Sequence, residues 1–257
     1  MPAPAPLPAL RDIPRAFCLL SRLPMPRVDD WSRQAEAAWA YPLVGLGLGS
    51  LAALVGWSGA ALGLPAPLVA FLVLGALVLL SGAMHEDGLA DTADGFWGGW
   101  TKERRLGIMK DSQIGCYGVI ALVLSLGLRW AALWALWEMG AGTAIPAVLA
   151  VAMLSRAAIC VPMHTLPNAR GSGVAHGVGA VPRGTMLLAL ALAGALSLIL
   201  LGSVVIALFL AGTLTVLGLC RLARHKIGGQ TGDVLGATQQ VVEITLLLCL
   251  VATLTEV

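Results

Sequence analysis

Residues 66–100 read APLVAFLVLGALVLLSGAMHEDGLADTADGFWGGW, and the change of character at residue 84 decides the class of fold. From Ala66 to Met84 there is no charge and almost no polarity, over a length that reaches the roughly 18 residues needed to cross a bilayer as a helix. From His85 onward the chain turns to carboxylates, glycine and tryptophan. An apolar segment delivering an acidic one to a membrane surface is the organising feature of the sequence.

The rest of the chain repeats the apolar half. Of 257 residues, 58% are hydrophobic and 12% charged, against roughly 25% charged in a soluble domain. The pattern predicts spans over Trp39–Leu62, Ala66–Met84, Val119–Trp137, Ala141–Val161, Thr185–Leu201, Val204–Cys220 and Gly236–Leu254. Only Gly202 and Ser203 divide the fifth from the sixth. The expected fold is all-α: one integral membrane domain, a polytopic bundle of about seven helices. Residues 1–15, with five prolines, read as a loose N-terminal tail rather than a cleavable signal, because they lack an apolar h-region.

Charge fixes an expected orientation. Apart from Arg129 and Arg156, which lie inside spans, Lys and Arg fall in four segments: Arg11–Arg33, Lys102–Lys110, Arg170 with Arg183, and Arg221–Lys226. Seven spans put all four on one side, which the positive-inside rule makes cytoplasmic, with the N-terminus inside. The opposite turns, near Gly63, Gly140 and Gly202, carry no Lys or Arg. A net charge of +2 without a basic tract argues against nucleic acid as a partner. Five scattered cysteines without CxxC spacing argue against zinc. Gly45, Gly47 and Gly49 lie inside an apolar span and read as close-packing positions. Trp130, Trp134 and Trp137 read as an interfacial belt, with a platform for a planar ligand as the alternative.

The segment 85–118 is expected to be a catalytic cytoplasmic loop. Asp87, Asp91 and Asp94 recur at i, i+4, i+7, an arc of about 60° on a helix, so three carboxylates face one way. Such like charges call for a cation. Hard oxygen donors suit Mg²⁺, which takes a few carboxylates, waters and substrate phosphates. Glu86 is a further candidate ligand, and His85 a structural hydrogen-bond partner. Arg104, Arg105, Lys110, Asp111 and Ser112 follow within reach, and this mixture of cations and carboxylates is what phosphoryl transfer requires. Lys110 and Asp111 are candidate catalytic groups; Arg104, Arg105 and Ser112 are candidate substrate contacts. Asp233 lies between glycines in KIGGQTGDVLGA (Lys226–Ala237), beside His225 and Lys226, which are also candidate substrate contacts. Arg170 lies in a segment, Met163–Arg183, whose composition suggests a mobile cover over a site. Glu243, inside the last span, reads as functional or as an ion-pair partner of Arg129 or Arg156.

With these residues in view, the chain resembles the adenosylcobinamide-GDP ribazoletransferases, the cobalamin synthases of vitamin B12 assembly. The resemblance runs from about Ala16 to Glu243. It rests on HEDGLADTADGFWGG (His85–Gly99), IMKDSQIGCYGV (Ile108–Val119) and KIGGQTGDVLGA, supported by SRLPMPR (Ser21–Arg27), YPLVG (Tyr41–Gly45) and NARGSG (Asn168–Gly173). It implies attack by α-ribazole, or its 5′-phosphate, on adenosylcobinamide-GDP with release of GMP and Mg²⁺ as cofactor. The implied setting is the bacterial inner membrane, with lipid around the spans and the active site facing the cytoplasm; a homo-oligomer is compatible with it. Asp87, Asp91, Asp94 and Glu86 are then the metal candidates, and Asp111 or Asp233 the group that positions the hydroxyl. Two other readings compete. CDP-alcohol phosphotransferases share clustered aspartates and nucleotide release, but here Asp94-Gly95 is followed by Phe96-Trp97-Gly98-Gly99 where their motif carries Ala-Arg. A transporter is allowed by the intramembrane charges, but no inverted repeat relates the halves.

Overall fold

A computed structural model describes residues 8–26, 28 and 30–255, and within these the chain is helical apart from turns and one isolated bridge. The helices are α1 (Asp12–Leu20), α2 (Tyr41–Ala61), α3 (Ala66–Ser81), α4 (Met84–Gly98), α5 (Lys102–Ile108), α6 (Cys116–Glu138), α7 (Ala141–Ala158), α8 (Cys160–Thr165), α9 (Val174–Val178), α10 (Arg183–Leu201), α11 (Val204–Ile227) and α12 (Gly232–Thr255). Six helical stretches are long and apolar enough to cross a membrane, and the pair α3 and α4 makes up to seven. The protein is a multi-pass membrane helix bundle.

The stretch Ala141–Thr165 is the axis of the bundle, with 78% of its apolar window buried, whereas Val204–Ile227 is peripheral at 17%. Small residues set the tightest approach. A Cβ on Gly45 would overlap the Ala152 carbonyl of α7, and one on Gly47 would fall 2.8 Å from the Phe17 ring. Glycine in α2 therefore allows backbone-to-backbone packing that any side chain would forbid. The expected aromatic belt takes a different form. Trp137 is buried over Gly56 and Val73, and the Trp130 indole donates to the Pro67 carbonyl at 2.9 Å. Two of the three tryptophans thus fasten α6 to its neighbours, because an indole facing a glycine gains more contact there than at an interface.

The break expected at Gly202 is present, with φ +59° between α10 and α11, but other boundaries move, and α11 runs on past Cys220 to Ile227. The last helix begins at Gly232, not Gly236, since Thr231 caps it by accepting from Val234 N–H at 3.3 Å. The second span ends at Ser81, not Met84. Gly82 (φ +69°) and Ala83 (φ +55°) both adopt left-handed backbone, and the helix resumes as α4 at 85° to α3. The bend is closed by Ala83 N–H to Val78 O at 2.9 Å and braced by Arg22 N–H to Leu80 O at 2.8 Å. Glycine is favoured at 82 because of its left-handed backbone, and a Cβ there would also press on the Arg22 side chain.

Part of the expected tail, residues 1–7, lies outside the described residues. The rest of it is not loose. Asp12 is fully buried at the start of α1, where it accepts from Ala9 N–H at 2.9 Å, Arg15 Nη1 at 3.2 Å, Trp39 Nε1 at 3.1 Å and the Arg33 guanidinium. Burial pushes its carboxyl up, but the bonds from Arg33, Ala9 and Trp39 outweigh this and hold it below the usual carboxylate range.

Candidate active site

The segment expected to be a loop is mostly helical: it holds α5 and nearly all of α4, which is laid against α6 and α12 with nine of its residues buried. Glycine makes this possible. A Cβ on Gly88 would sit 2.8 Å from the Asp233 carbonyl and 3.2 Å from Gly236 Cα, so α4 and α12 touch backbone to backbone. The contact places Asp87 and Asp91 beside Asp233, and Asp91 feels the like charges of Asp233 and Asp87. One cation answers them: Arg170 Nη2 pairs with Asp233 Oδ2 at 2.9 Å.

Asp87, Asp233 and Arg170 border a cavity of about 230 Å³ between α1, α2, α4, α8, α9 and α12, and Asp91 stands outside its lining. Asp87, Asn168, Arg170, Thr231 and Asp233 make one wall; Leu19, Leu20, Ile159, Met163, Val178 and Leu235 make much of the rest. The segment Met163–Arg183 does cover the site, as its composition suggested, but it is built in. Ala169 N–H donates to Gln230 O at 2.8 Å and Gln230 N–H to Pro167 O at 2.9 Å, while α9 supplies lining residues.

The one-faced aspartate triad divides. Asp94 is buried and points to the start of α6, where its two oxygens accept from Gly115 N–H at 2.7 Å and Gly118 N–H at 2.9 Å. It fills the role of a helix N-terminal carboxylate, donated from another helix. Glu86 turns into the bundle, where its Oε1 accepts from Arg129 Nη1 at 2.8 Å and Gln240 Nε2 at 3.1 Å. Arg129 also pairs with Glu243 at 2.7 Å, and Gln239 bridges Glu243 to Ser155. The ion pair foreseen for Glu243 is thus made with Arg129, and Glu86 is its second carboxylate. This buried network fastens α4, α6, α7 and α12 to one another. Sequence reasoning named Arg129 and Glu243 and noted the polar run of Gln239, Gln240 and Glu243 entering the last span, but gave Gln240 no partner.

The basic candidates fall into two sets. Arg105 and Lys226 are used structurally: Arg105 donates to Gly99 O at 2.9 Å and Lys226 O at 2.8 Å, and Lys226 Nζ donates to Phe96 O at 3.0 Å while lying 5.5 Å from the Trp97 ring. They close the far end of α4 against α5 and α11. Arg104, Lys110, Asp111, Ser112 and His225 are exposed and do not line the cavity. Asp111 Oδ1 accepts from Gln113 N–H at 3.2 Å, which shapes the turn leading to Gly115.

Among the described residues no three His, Cys, Asp or Glu side chains converge as a ready-made metal centre. What the site does provide is Asp87 and Asp233 on the wall with Asp91 beside them, hard oxygen donors with a single guanidinium to offset them. That set suits an ion whose remaining ligands are phosphate oxygens and water.

Comparison with known proteins gives this arrangement its context. The family model described as cobalamin-5-phosphate synthase matches residues 12–251. The chain belongs to that family. It is 46% identical to a protein of Bradyrhizobium diazoefficiens over 83% of this chain and 82% of the relative. It is 42% identical to one of Mesorhizobium japonicum over 93% and 92%, and 44% identical to one of a Sinorhizobium species over 92% and 94%. All three relatives are named adenosylcobinamide-GDP ribazoletransferase. No solved structure matches the chain. A cobalamin-5-phosphate synthase assembles the nucleotide loop of cobalamin, so among the readings open from sequence the match selects cobalamin biosynthesis over lipid synthesis or transport. The three segments that carried the resemblance are those that line the cavity, cap α6 or close the end of α4.

Proposed function

We propose that the chain transfers the adenosylcobinamide phosphoryl group of adenosylcobinamide-GDP to α-ribazole or its 5′-phosphate, with GMP as leaving group and Mg²⁺ as cofactor. The observation that carries this reading is the Gly88–Gly236 helix contact, which brings Asp87, Asp233 and Arg170 to one cavity wall with Asp91 close enough to feel their charges. Asp87 and Asp91, with Asp233, would hold the metal. When bound, Mg²⁺ neutralises diphosphate charge and so eases departure of the nucleotide.

The chain's own side chains then have distinct tasks. Arg170, already turned to Asp233, is placed to exchange that carboxylate for a phosphate oxygen, a bidentate match for its guanidinium. Asp233 is favoured over Asp111 for positioning the attacking hydroxyl, since Asp233 lines the cavity and Asp111 stands outside it. Arg104, Lys110 and Ser112, exposed beyond Asp94, are suited to the outward end of the nucleotide. Glu86 and Asp94 act at one remove: the first fixes the inner end of α4, the second joins its outer end to α6. Holding two bulky substrates in line supplies much of the rate. The clustering of Lys and Arg in the connections at one end supports a cytoplasmic site in a bacterial inner membrane.

The test is direct. Purified protein in detergent, given adenosylcobinamide-GDP, α-ribazole and Mg²⁺, should release GMP and form a cobalamin product in equal amounts. Chelation by EDTA should stop both. No GMP with either ribazole form would overturn the proposal.

A further inference from the structure

Among the residues that line the cavity, Tyr41 Oη, His85 Nε2 and Arg170 Nε are buried with no hydrogen-bond partner among the described residues. Tyr41 and His85 are only 1% and 2% exposed, yet both line the same space. A buried hydroxyl and ring nitrogen left unpaired are costly, so such atoms in a cavity wall point to a ligand that completes them. The size of the space limits that ligand. At about 230 Å³ it lies just below the roughly 300–1,000 Å³ usual for drug-sized ligands. A nucleoside is of that order; a corrinoid nucleotide is several times larger.

Resting on the proposed function, we infer that this cavity is the ribazole subsite, with Tyr41 and His85 as its inner hydrogen-bonding residues and the corrinoid held outside. The lining has two characters, as this substrate does. Tyr41 packs in one cluster with Leu19, Leu20, Ile159 and Met163, an apolar enclosure suited to a methylated benzimidazole, with the phenol donating to its free ring nitrogen. The polar part of the lining holds Asp87, Arg170 and Asp233, suited to the ribose. His85 Nε2 meets a ribose hydroxyl there, and the sugar emerges where the diphosphate would be held. Sequence reasoning took His85 for a structural hydrogen-bond partner; its Nε2 has no partner among the described residues.

Tyr41→Phe removes only the hydroxyl and keeps the ring that packs the neighbouring core. In steady-state GMP release, the KM for ribazole should rise about tenfold, while the KM for adenosylcobinamide-GDP stays within about twofold. An equal rise in both constants, or a change in neither, overturns the assignment. Val178→Trp, which fills the cavity from α9, gives a second reading by calorimetry. Binding of α-ribazole should be lost while adenosylcobinamide-GDP still binds, and undiminished ribazole binding overturns the subsite. Should Val178→Trp fail to fold, Tyr41→Phe decides alone. If wild-type protein releases no GMP, the proposed reaction fails, and calorimetry of α-ribazole on wild type and Tyr41→Phe decides the subsite separately. Weaker binding to the variant supports it, and no binding to the wild type, or equal binding to both, overturns it.

Discussion

Gly88→Ala is the smallest change that tests how the site is held. The added Cβ would lie 2.8 Å from the Asp233 carbonyl oxygen and 3.1 Å from Asp233 Cα, where ordinary contact begins at 3.4 Å. The obstructing atoms are backbone, so no side chain can swing away, and α4 and α12 must part by about 0.6 Å at least. Overpacking of this kind costs about 1–3 kcal/mol, which a bundle of this size should survive. The effect on chemistry is larger, since a displacement approaching 1 Å at a reacting centre can cost about 100-fold. Thermal unfolding in detergent should therefore fall by only a few degrees, on the order expected for such a loss in a chain of this size. GMP release at saturating substrates should drop by one to two orders of magnitude. A Gly88→Ala protein with wild-type turnover would refute the claim that this helix contact sets the geometry of Asp87, Asp91 and Asp233.

Other consequences follow from the supporting structure. Arg129→Met leaves Glu86 and Glu243 buried without their cation and should cost about 3–5 kcal/mol by denaturant unfolding. Adding Glu86→Gln and Glu243→Gln should restore part of it, and a single variant as stable as wild type would contradict the network. Asp12→Asn should destabilise the protein near neutral pH. Because the folded carboxyl is held below its ordinary value, its contribution is present above the unfolded pKa of about 4 and is lost as pH falls through the folded value. The stability gap between wild type and variant should therefore close in acid; a gap that widens there would reverse the sign of the argument. Trp137→Ala removes the ring packed on Gly56 and should cost about 3–5 kcal/mol in unfolding measurements; an unaltered midpoint would place Trp137 at the lipid boundary instead.

The apolar architecture was legible in the sequence because spans are long and their boundaries are marked by charge. Even the split at Gly202 follows from a two-residue gap. Where the reading slipped, a local signal was overridden by a contact distant in sequence. HEDGLADTADG has loop-like composition, yet it is helical because its glycines are needed for contact with α12 and with Met109. Periodicity placed Asp87, Asp91 and Asp94 on one face, and they do follow one another along α4. It could not tell that the glycine amides at the start of α6 would claim the third. Likewise Arg105 and Lys226 carry charges typical of phosphate contacts, but their donors meet backbone carbonyls across 121 and 130 residues of sequence. The prolines near the N-terminus concealed Asp12, whose partners Arg33 and Trp39 are 21 and 27 residues away.

The central claim is a division of labour among the aspartates of α4: Asp87 and Asp91 serve the metal with Asp233, while Asp94 serves the fold. Mg²⁺ titration of GMP release, run beside thermal unfolding on Asp87→Asn, Asp91→Asn and Asp94→Asn, tests it most directly. The account predicts that the first two variants need about tenfold more Mg²⁺ or more for half-activation and melt like wild type. Asp94→Asn should lose about 1–3 kcal/mol of stability, because an amide cannot accept from both Gly115 and Gly118, and should keep the wild-type Mg²⁺ requirement. If Asp94→Asn shifts the Mg²⁺ requirement as far as Asp87→Asn does, or if Asp87→Asn and Asp91→Asn leave it unchanged, the division is contradicted.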